Sequence, residues 1–331
     1  MVYILGIESS CDETAAAIMR DGEVLVNLIS SQIDHSKYGG VIPELASRLH
    51  QQNIVYLVQQ ALEEAGIEGK DLSAVAVTQG PGLLGALLVG ICFSKSYAYA
   101  LDVPLIGVNH MEAHILANFI QDPKPTFPFL NLTVSGGHTQ LVLVKSFFEM
   151  EIIGQTIDDA AGEAFDKAAK LLGLPYPGGP QVDKHAKEGD PSRYSFPKAD
   201  VGRFEFSFSG IKTSLLYLLR DGLKDDPDFI KKNLDDLAAS YQNRIVSILI
   251  EKVEDAAKEY GVTQVALAGG VSANSQLRSA FTTMCEQNGW RAFIPSMAYC
   301  TDNAAMIAYA GYQKWKAGMT SELNLAPYTR V

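Results

Sequence analysis

His110 and His114 stand four residues apart in Val108-Asn109-His110-Met111-Glu112-Ala113-His114-Ile115-Leu116-Ala117. On an α-helix, positions i and i+4 lie about 40° apart around the axis, one turn above each other, so the two imidazoles could grip one metal ion. The same spacing serves the H-E-x-x-H helix of zinc proteases. Here the acid comes two positions after the first histidine, so Glu112 points about 200° away from His110, to the opposite helix face. A metalloprotease is one reading of the pair, and the place of Glu112 argues against it. One buried structural histidine beside a surface one is the plainer alternative.

Other residues suit phosphate. Ser135-Gly136-Gly137 lies between two apolar runs and presents backbone N–H groups, although tight hairpins also need glycine. Gly269-Gly270 follows the apolar run Gln264–Ala268 and opens a helix, a platform suited to adenosine or ribose. Asp12, among Ser9, Ser10 and Thr14, could hold Mg²⁺ or water near phosphates, or cap its own turn. Cys11 has no base nearby in sequence and reads as structural.

The elements that must position these residues occur twice. Residues 2–7, Ala15–Met19 and Val24–Ile29 read as three strands, with Asp21-Gly22 as a hairpin turn. Phe129–Val134, Gln140–Val144 and Glu151–Gly154 repeat them. Glu44–Gly66 reads as a helix, followed by the strand Ala74–Val77 and a helix from near Leu83. The later copy is a helix over Leu234–Tyr260 ended by Gly261, the strand Gln264–Ala268 and a helix from Ser275. Two β-β-β-α-β-α copies predict a duplicated α/β fold with a cleft between lobes. The lobes run over about 1–127 and 128–303, with an insertion at about 155–230 and a final helix at about 304–325 packing back on the first lobe.

The 331 residues, 47% hydrophobic and 20% charged, suffice for two cores. Four scattered cysteines without C-x-x-C read as free thiols in a reducing compartment. No apolar run reads as a membrane span, and the N-terminus lacks a basic leader, so a cytoplasmic protein without membrane association is expected. A net charge of −11 speaks against a stand-alone nucleic-acid binder.

Seven segments together carry a family resemblance: Gly6–Thr14, Gly39–Glu44, Gly80-Pro81-Gly82, Asn109–His114, Val134–Thr139, Gly269–Asn274 and Cys300-Thr301-Asp302-Asn303. In order and over essentially the whole chain, they resemble the TsaD family of tRNA adenosine threonylcarbamoyltransferases, in its bacterial branch. The resemblance implies an actin/hexokinase-like (ASKHA) fold of two ribonuclease-H-like lobes with a nucleotide cleft between them. It implies transfer of threonylcarbamoyl from threonylcarbamoyl-AMP to the exocyclic amine of the adenosine 3′ of the anticodon, in tRNAs reading codons that begin with A. It places one divalent metal, Fe²⁺ ahead of Zn²⁺, on His110, His114 and Asp302. Contacts to the acyl-adenylate, or to an ATP- or AMP-type nucleotide, fall on Thr133, Val134, Ser135, Gly136, Gly137, Asp166, Gly179, Asp183 and Asn274. Asp12 takes the first phosphate-loop position and joins the metal ligands as catalytic. The implied partners are tRNA, the paralogous subunit TsaB and the small ATPase TsaE.

Local readings stand beside these. Asp302 precedes the apolar helix Ala304–Tyr312 and could simply cap it. Asp166, on a helix over Asp159–Leu172, could pair with Lys170 at i+4. Asp183 follows Gly178-Gly179, where a ligand can come close, and a carboxylate suits a ribose diol. An acyl-adenylate is already activated, so positioning and charge stabilisation suffice, and no serine or cysteine nucleophile is required. The insertion interleaves Lys184, Lys187, Arg193, Lys198, Arg203 and Lys212 with Tyr194, Phe196, Phe204, Phe206 and Phe208. That pattern suits RNA stacking, and core packing equally. The remaining competitor is a non-catalytic, chaperone-like ATPase of the same fold.

Overall fold

The computed structural model describes residues 1–32, 35 and 40–330, so Gly39 of the Gly39–Glu44 segment lies outside the described residues. Two compact units divide the chain: Met1–Lys124 with Pro295–Val331, and Pro125–Ile294. Pro295–Asn303, assigned by sequence to the second lobe, therefore group with the first unit, and Asp302 goes with them.

In the first unit, β1 (Tyr3–Glu8), β2 (Glu13–Arg20) and β3 (Glu23–Ser31) form an antiparallel meander. Asp21 and Gly22 both adopt positive φ, 51° and 92°, as a two-residue turn between twisted strands requires. β4 (Ala74–Gly80) pairs parallel to β1, and β5 (Leu105–Asn109) parallel to β4, giving the order β3-β2-β1-β4-β5. Parallel pairs need crossovers. These are α1 (Pro43–Ala65), entered through proline and closed by left-handed Gly66, and α2 (Leu84–Leu101).

Successive strand residues face opposite sides of the sheet. Leu5, Ile7, Val75 and Val77 share a core with Ile54, Val58 and Ile91 from α1 and α2. Gly6 meets α9 (Ala304–Lys316) instead, where a Cβ would lie 2.4 Å from Ala304 O. This close approach seats α9 on β1, β2 and β4. α9 stops at Lys316, short of the expected residue 325, because Gly318 turns the chain back and Ser321 N–H donates to Leu105 O at 2.8 Å. α2 also corrects the expectation about membrane spans. By length and composition it is long and apolar enough to cross one; here its inner face packs on β4 and α1.

The second unit repeats the plan. β6 (Phe129–Val134), β7 (Thr139–Val144) and β8 (Met150–Gln155) form the meander, and β9 (Gln264–Ala268) and β10 (Arg291–Phe293) add in parallel. The order β10-β9-β6-β7-β8 is the first sheet's order with each strand replaced by its later counterpart. The crossovers are α7 (Phe229–Tyr260) and α8 (Ser275–Asn288). α7 breaks at Asn233 (φ −120°, ψ 15°), which is why its apolar periodicity begins at Leu234.

Between β8 and α7 lie α4 (Ala161–Leu171), α5 (Gly178–Ala186) and α6 (Ser209–Asp225). Of the five aromatic residues interleaved with basic ones, three belong to the core, and Tyr194 and Phe204 are half-buried against it. Phe196, Phe206 and Phe208 are fully buried with Phe165 and Tyr241, while Lys198 and Arg203 pair with Glu251 and Glu259.

Candidate functional site

The histidine segment is a short helix, α3 (His110–Leu116), springing directly from β5. The Asn109 side chain starts it, accepting from Met111 N at 2.8 Å and Glu112 N at 3.0 Å. His110 and His114 then fall one turn apart, both buried, with ring centroids 4.6 Å apart and planes near perpendicular.

Asp302 approaches from the turn before α9. It is not that helix's cap, as its local sequence suggested: Asn303 takes the position, accepting from Met306 N at 3.0 Å. Asp302 is left to meet the histidines. Its Oδ1 lies 3.1 Å from His114 Nε2 and 3.4 Å from His110 Nε2. One atom from each of the three residues lies within 4.8 Å of the others.

Two ligands at about 2.1 Å from one ion sit roughly 3–3.4 Å apart, so this nitrogen–oxygen spacing fits a divalent metal. Two imidazoles and one carboxylate suit Fe²⁺ or Zn²⁺ and leave coordination positions open. His114 Nδ1, on the far side of its ring, is buried and has no hydrogen-bond partner among the described residues. Glu112 is turned elsewhere, and its charge is felt by Lys314 and Tyr328.

The sequence reading missed Glu8. This fully buried carboxylate ends β1, with Oε2 3.0 Å from His110 Nδ1 and accepting from Thr78 Oγ1 at 2.6 Å. Oε1 accepts from Ser10 N–H. Its only sequence signal is an acid closing an otherwise apolar strand.

Burial alone would raise Asp302, but first the His110 charge and then the close approach of both histidine rings hold it well below the carboxylate range. Burial likewise opposes protonation of His110, and attraction from Asp302 and Glu8 overrides it, raising His110 well above the ordinary histidine value. Glu13 is pushed up to about 9 by burial and by the charges of Asp302 and Asp12.

Asp12 sits half-buried in the turn between β1 and β2, next to Glu13. α1 fastens this turn through buried His50, whose Nε2 donates to Cys11 O at 2.9 Å and whose Nδ1 accepts from Thr14 Oγ1 at 2.7 Å. Burial first, then the nearby acids Asp12 and Asp302, drive the Cys11 thiol far above its ordinary value, so it is no nucleophile.

The second unit holds the other expected residues. Ser135 closes the β6–β7 turn, its N–H donating to His138 O at 2.8 Å and its Oγ accepting from His138 N at 3.1 Å. Gly136 and Gly137 are exposed and have open space where a Cβ would stand. The turn rests on the first residues of α4, where Gly162 N–H donates to Ser135 O at 3.2 Å; a Cβ on Gly162 would lie 2.5 Å from that oxygen. Thr133 and Val134 are fully buried: Thr133 Oγ1 accepts from Asn131 Nδ2 and Val134 packs in the core.

Asp166 starts α5, its Oδ1 accepting from Gly178 N at 2.8 Å and Gly179 N at 3.3 Å. Asp183 Oδ1 accepts from Ser275 Oγ at 2.8 Å, Gln242 Nε2 at 3.1 Å and Ser275 N at 3.3 Å. Asn274 caps α8 by accepting from Leu277 N, and its Nδ2 donates to Gln242 Oε1 at 2.7 Å. Gln242, on α7, was absent from the sequence reading. It joins Asp183 to Asn274 in one network.

Duplicated units of this strand order define the actin/hexokinase (ASKHA) class of α/β proteins. HypF from T. kodakarensis has the same fold, with a TM-score of 0.63 at 15% identity, covering 98% of this chain and 49% of that one. So does the activator of the 2-hydroxyisocaproyl-CoA dehydratase from Clostridium difficile, with a TM-score of 0.53 at 14% identity over 96% and 97% of the two chains.

Sequence comparison goes further. The profile of the tRNA N6-adenosine threonylcarbamoyltransferases, TsaD, matches residues 23–309. The enzyme of that name from Cytophaga hutchinsonii is 56% identical over 330 residues, covering 100% of this chain and 96% of its own. That from Porphyromonas gingivalis is 54% identical, covering 100% and 98%. The chain belongs to the TsaD family of tRNA N6-adenosine threonylcarbamoyltransferases.

Proposed function

We propose that the protein transfers the threonylcarbamoyl group of threonylcarbamoyl-AMP to the exocyclic amine of the adenosine 3′ of the anticodon, in tRNAs reading codons that begin with A. The carrying observation is the convergence of the buried His110 and His114 with the half-buried Asp302 in a chain that matches this family from end to end. In the reaction the amine nitrogen bonds to the carbamoyl carbon, the carbon–oxygen bond to phosphate breaks, and AMP leaves with that electron pair. The amine gives up one proton.

His110, His114 and Asp302 would hold one divalent metal, Fe²⁺ in preference to Zn²⁺. When bound, it supplies Lewis acidity toward carbonyl or phosphate oxygen. The backbone N–H groups of Gly136 and Gly137, in the exposed turn that rests on the start of α4, suit phosphate. Asp183 is assigned to a ribose diol through Oδ2, which also pairs with Lys187 Nζ at 3.7 Å, while its Oδ1 is fixed by Gln242 and Ser275. Asn274 and Asp166 hold α8 and α5 in place around it. Asp12 is assigned to the phosphates, directly or through Mg²⁺.

The protein is assigned to the cytoplasm, working with tRNA, a TsaB paralogue and a TsaE ATPase. α2 leaves Leu84, Leu88 and Tyr99 exposed, and neighbouring α1 leaves Val55 and Tyr56 exposed. That apolar surface suits the paralogous subunit. A protease is disfavoured because Glu112 answers to Lys314 and Tyr328 rather than to the histidines. The test is mass spectrometry of tRNA nucleosides after incubation with threonylcarbamoyl-AMP and partners: modified adenosine is expected, with one AMP released per transfer.

A further inference from the structure

We infer that Glu8 is a positioning residue that decides which nitrogen His110 presents to the metal-ligand set, and that the same carboxylate ties the Ser9–Ser10 turn to that choice. The inference rests on the metal reading of His110, His114 and Asp302.

The argument is one of donors and acceptors. A carboxylate only accepts. Glu8 Oε1 receives the Ser10 N–H, and Oε2 receives the Thr78 hydroxyl at 2.6 Å. His110 Nδ1, 3.0 Å from Oε2, must therefore carry a proton and donate it. Ser10 Oγ, 3.3 Å from the same nitrogen, can turn its hydrogen away and does not compete. With Nδ1–H fixed, the Nε2 lone pair is the one left for a metal on the Asp302 side, where Nε2 lies 3.4 Å from Oδ1. Among the described residues, His114 Nδ1 has no such carboxylate partner. Glu8 is fully buried and reaches three different segments, so it also holds the turn bearing Asp12 in register with α3.

Glu8→Gln preserves shape and breaks the logic. One end of the amide accepts and the other donates. If its NH₂ faces His110, Nδ1 must become the acceptor and Nε2 carries the proton, closing that nitrogen to metal. If its NH₂ faces Ser10, two donors meet.

The test uses the full-length protein and Zn²⁺ as probe, with two readouts besides activity. Competition with a chromophoric chelator should show Zn²⁺ affinity lower in Glu8→Gln by about 10–100-fold. ¹⁵N NMR of the Zn²⁺-loaded wild type should show His110 protonated at Nδ1 and ligated through Nε2. Equal Zn²⁺ affinity in wild type and Glu8→Gln, or a wild-type His110 ligated through Nδ1, would overturn the inference. The wild-type spectrum decides even where the variant fails to fold. Failure of the wild type itself to bind Zn²⁺ or Fe²⁺ would instead remove the metal reading, and this inference with it.

Discussion

Asp302 Oδ1 lies 3.1 Å from His114 Nε2 although 188 residues separate them in the chain. The contact exists because Asn303 caps α9 and because Gly6 lets α9 settle onto β1. His114→Ala and Asp302→Ala should each lose bound iron or zinc, read by elemental analysis of the purified protein. Transfer activity should fall on the order of 10²–10³-fold, as when a preorganised electrostatic contact is removed. Chelation of the wild type should abolish activity and re-addition of metal restore it. Full activity in a metal-free variant would contradict the assignment.

Asp183→Asn probes the nucleotide side with little disturbance. The amide oxygen can keep the hydrogen bonds from Ser275 and Gln242, so the fold should hold while the charge on the other atom is lost. A charge-assisted hydrogen bond contributes about 1.5–3 kcal/mol, so AMP affinity by calorimetry should drop tenfold or more. Metal content should stay at the wild-type level. Unchanged AMP binding would remove Asp183 from the ribose.

Gly162→Ala tests the seat of the Ser135–Gly137 turn. The new methyl would meet Ser135 O at 2.5 Å and Gly136 Cα at 2.8 Å, both backbone atoms. Overpacking of this kind costs about 1–3 kcal/mol. Denaturant unfolding should show that loss, and AMP binding should weaken because the turn must shift. A variant as stable as wild type would mean that α4 and the turn are free to move apart.

Asp158 holds the start of α6, accepting from Phe208 N and from the hydroxyls of Ser207 and Ser209. Slight burial works against its charge, but the Ser207 and Ser209 hydrogen bonds win and hold it below the ordinary aspartate value of 3.8. A carboxylate with a lowered folded value stabilises above the unfolded value and loses that contribution as pH falls through the folded one. Asp158→Ala should therefore cost about 1 kcal/mol at neutral pH, the scale of a lost helix cap. The gap from wild type should hold steady down to about pH 4 and narrow below it. A gap that widened in acid would reverse the sign.

What the sequence made legible was local. The i, i+4 histidines, the Asp21-Gly22 turn and the repeated strand patterns each depend on neighbours a few residues away. Asp302 misled locally because the adjacent Asn303 is an equally good cap, and only the three-dimensional structure shows which one serves. Glu8 gave almost no signal because its three partners, Ser10, Thr78 and His110, come from three segments. β5 and β10 escaped notice for different reasons: β5 runs without a break into the histidine helix, and β10 has only three residues. The aromatic residues of the insertion fitted RNA stacking or a core equally well, and burial decided for the core at Phe196, Phe206 and Phe208.

The central claim is acyl transfer to one adenosine, and its most direct test follows the transferred carbon. Threonylcarbamoyl-AMP labelled with ¹³C at the carbamoyl carbon is incubated with the protein, its partners and unmodified tRNA, and the tRNA nucleosides are analysed by mass spectrometry. The label should reside in threonylcarbamoyl-modified adenosine, in equal amount to AMP released, and His110→Ala should abolish both. AMP or ATP turnover with no labelled nucleoside, unaffected by His110→Ala, would contradict the account and leave the ATPase reading in its place.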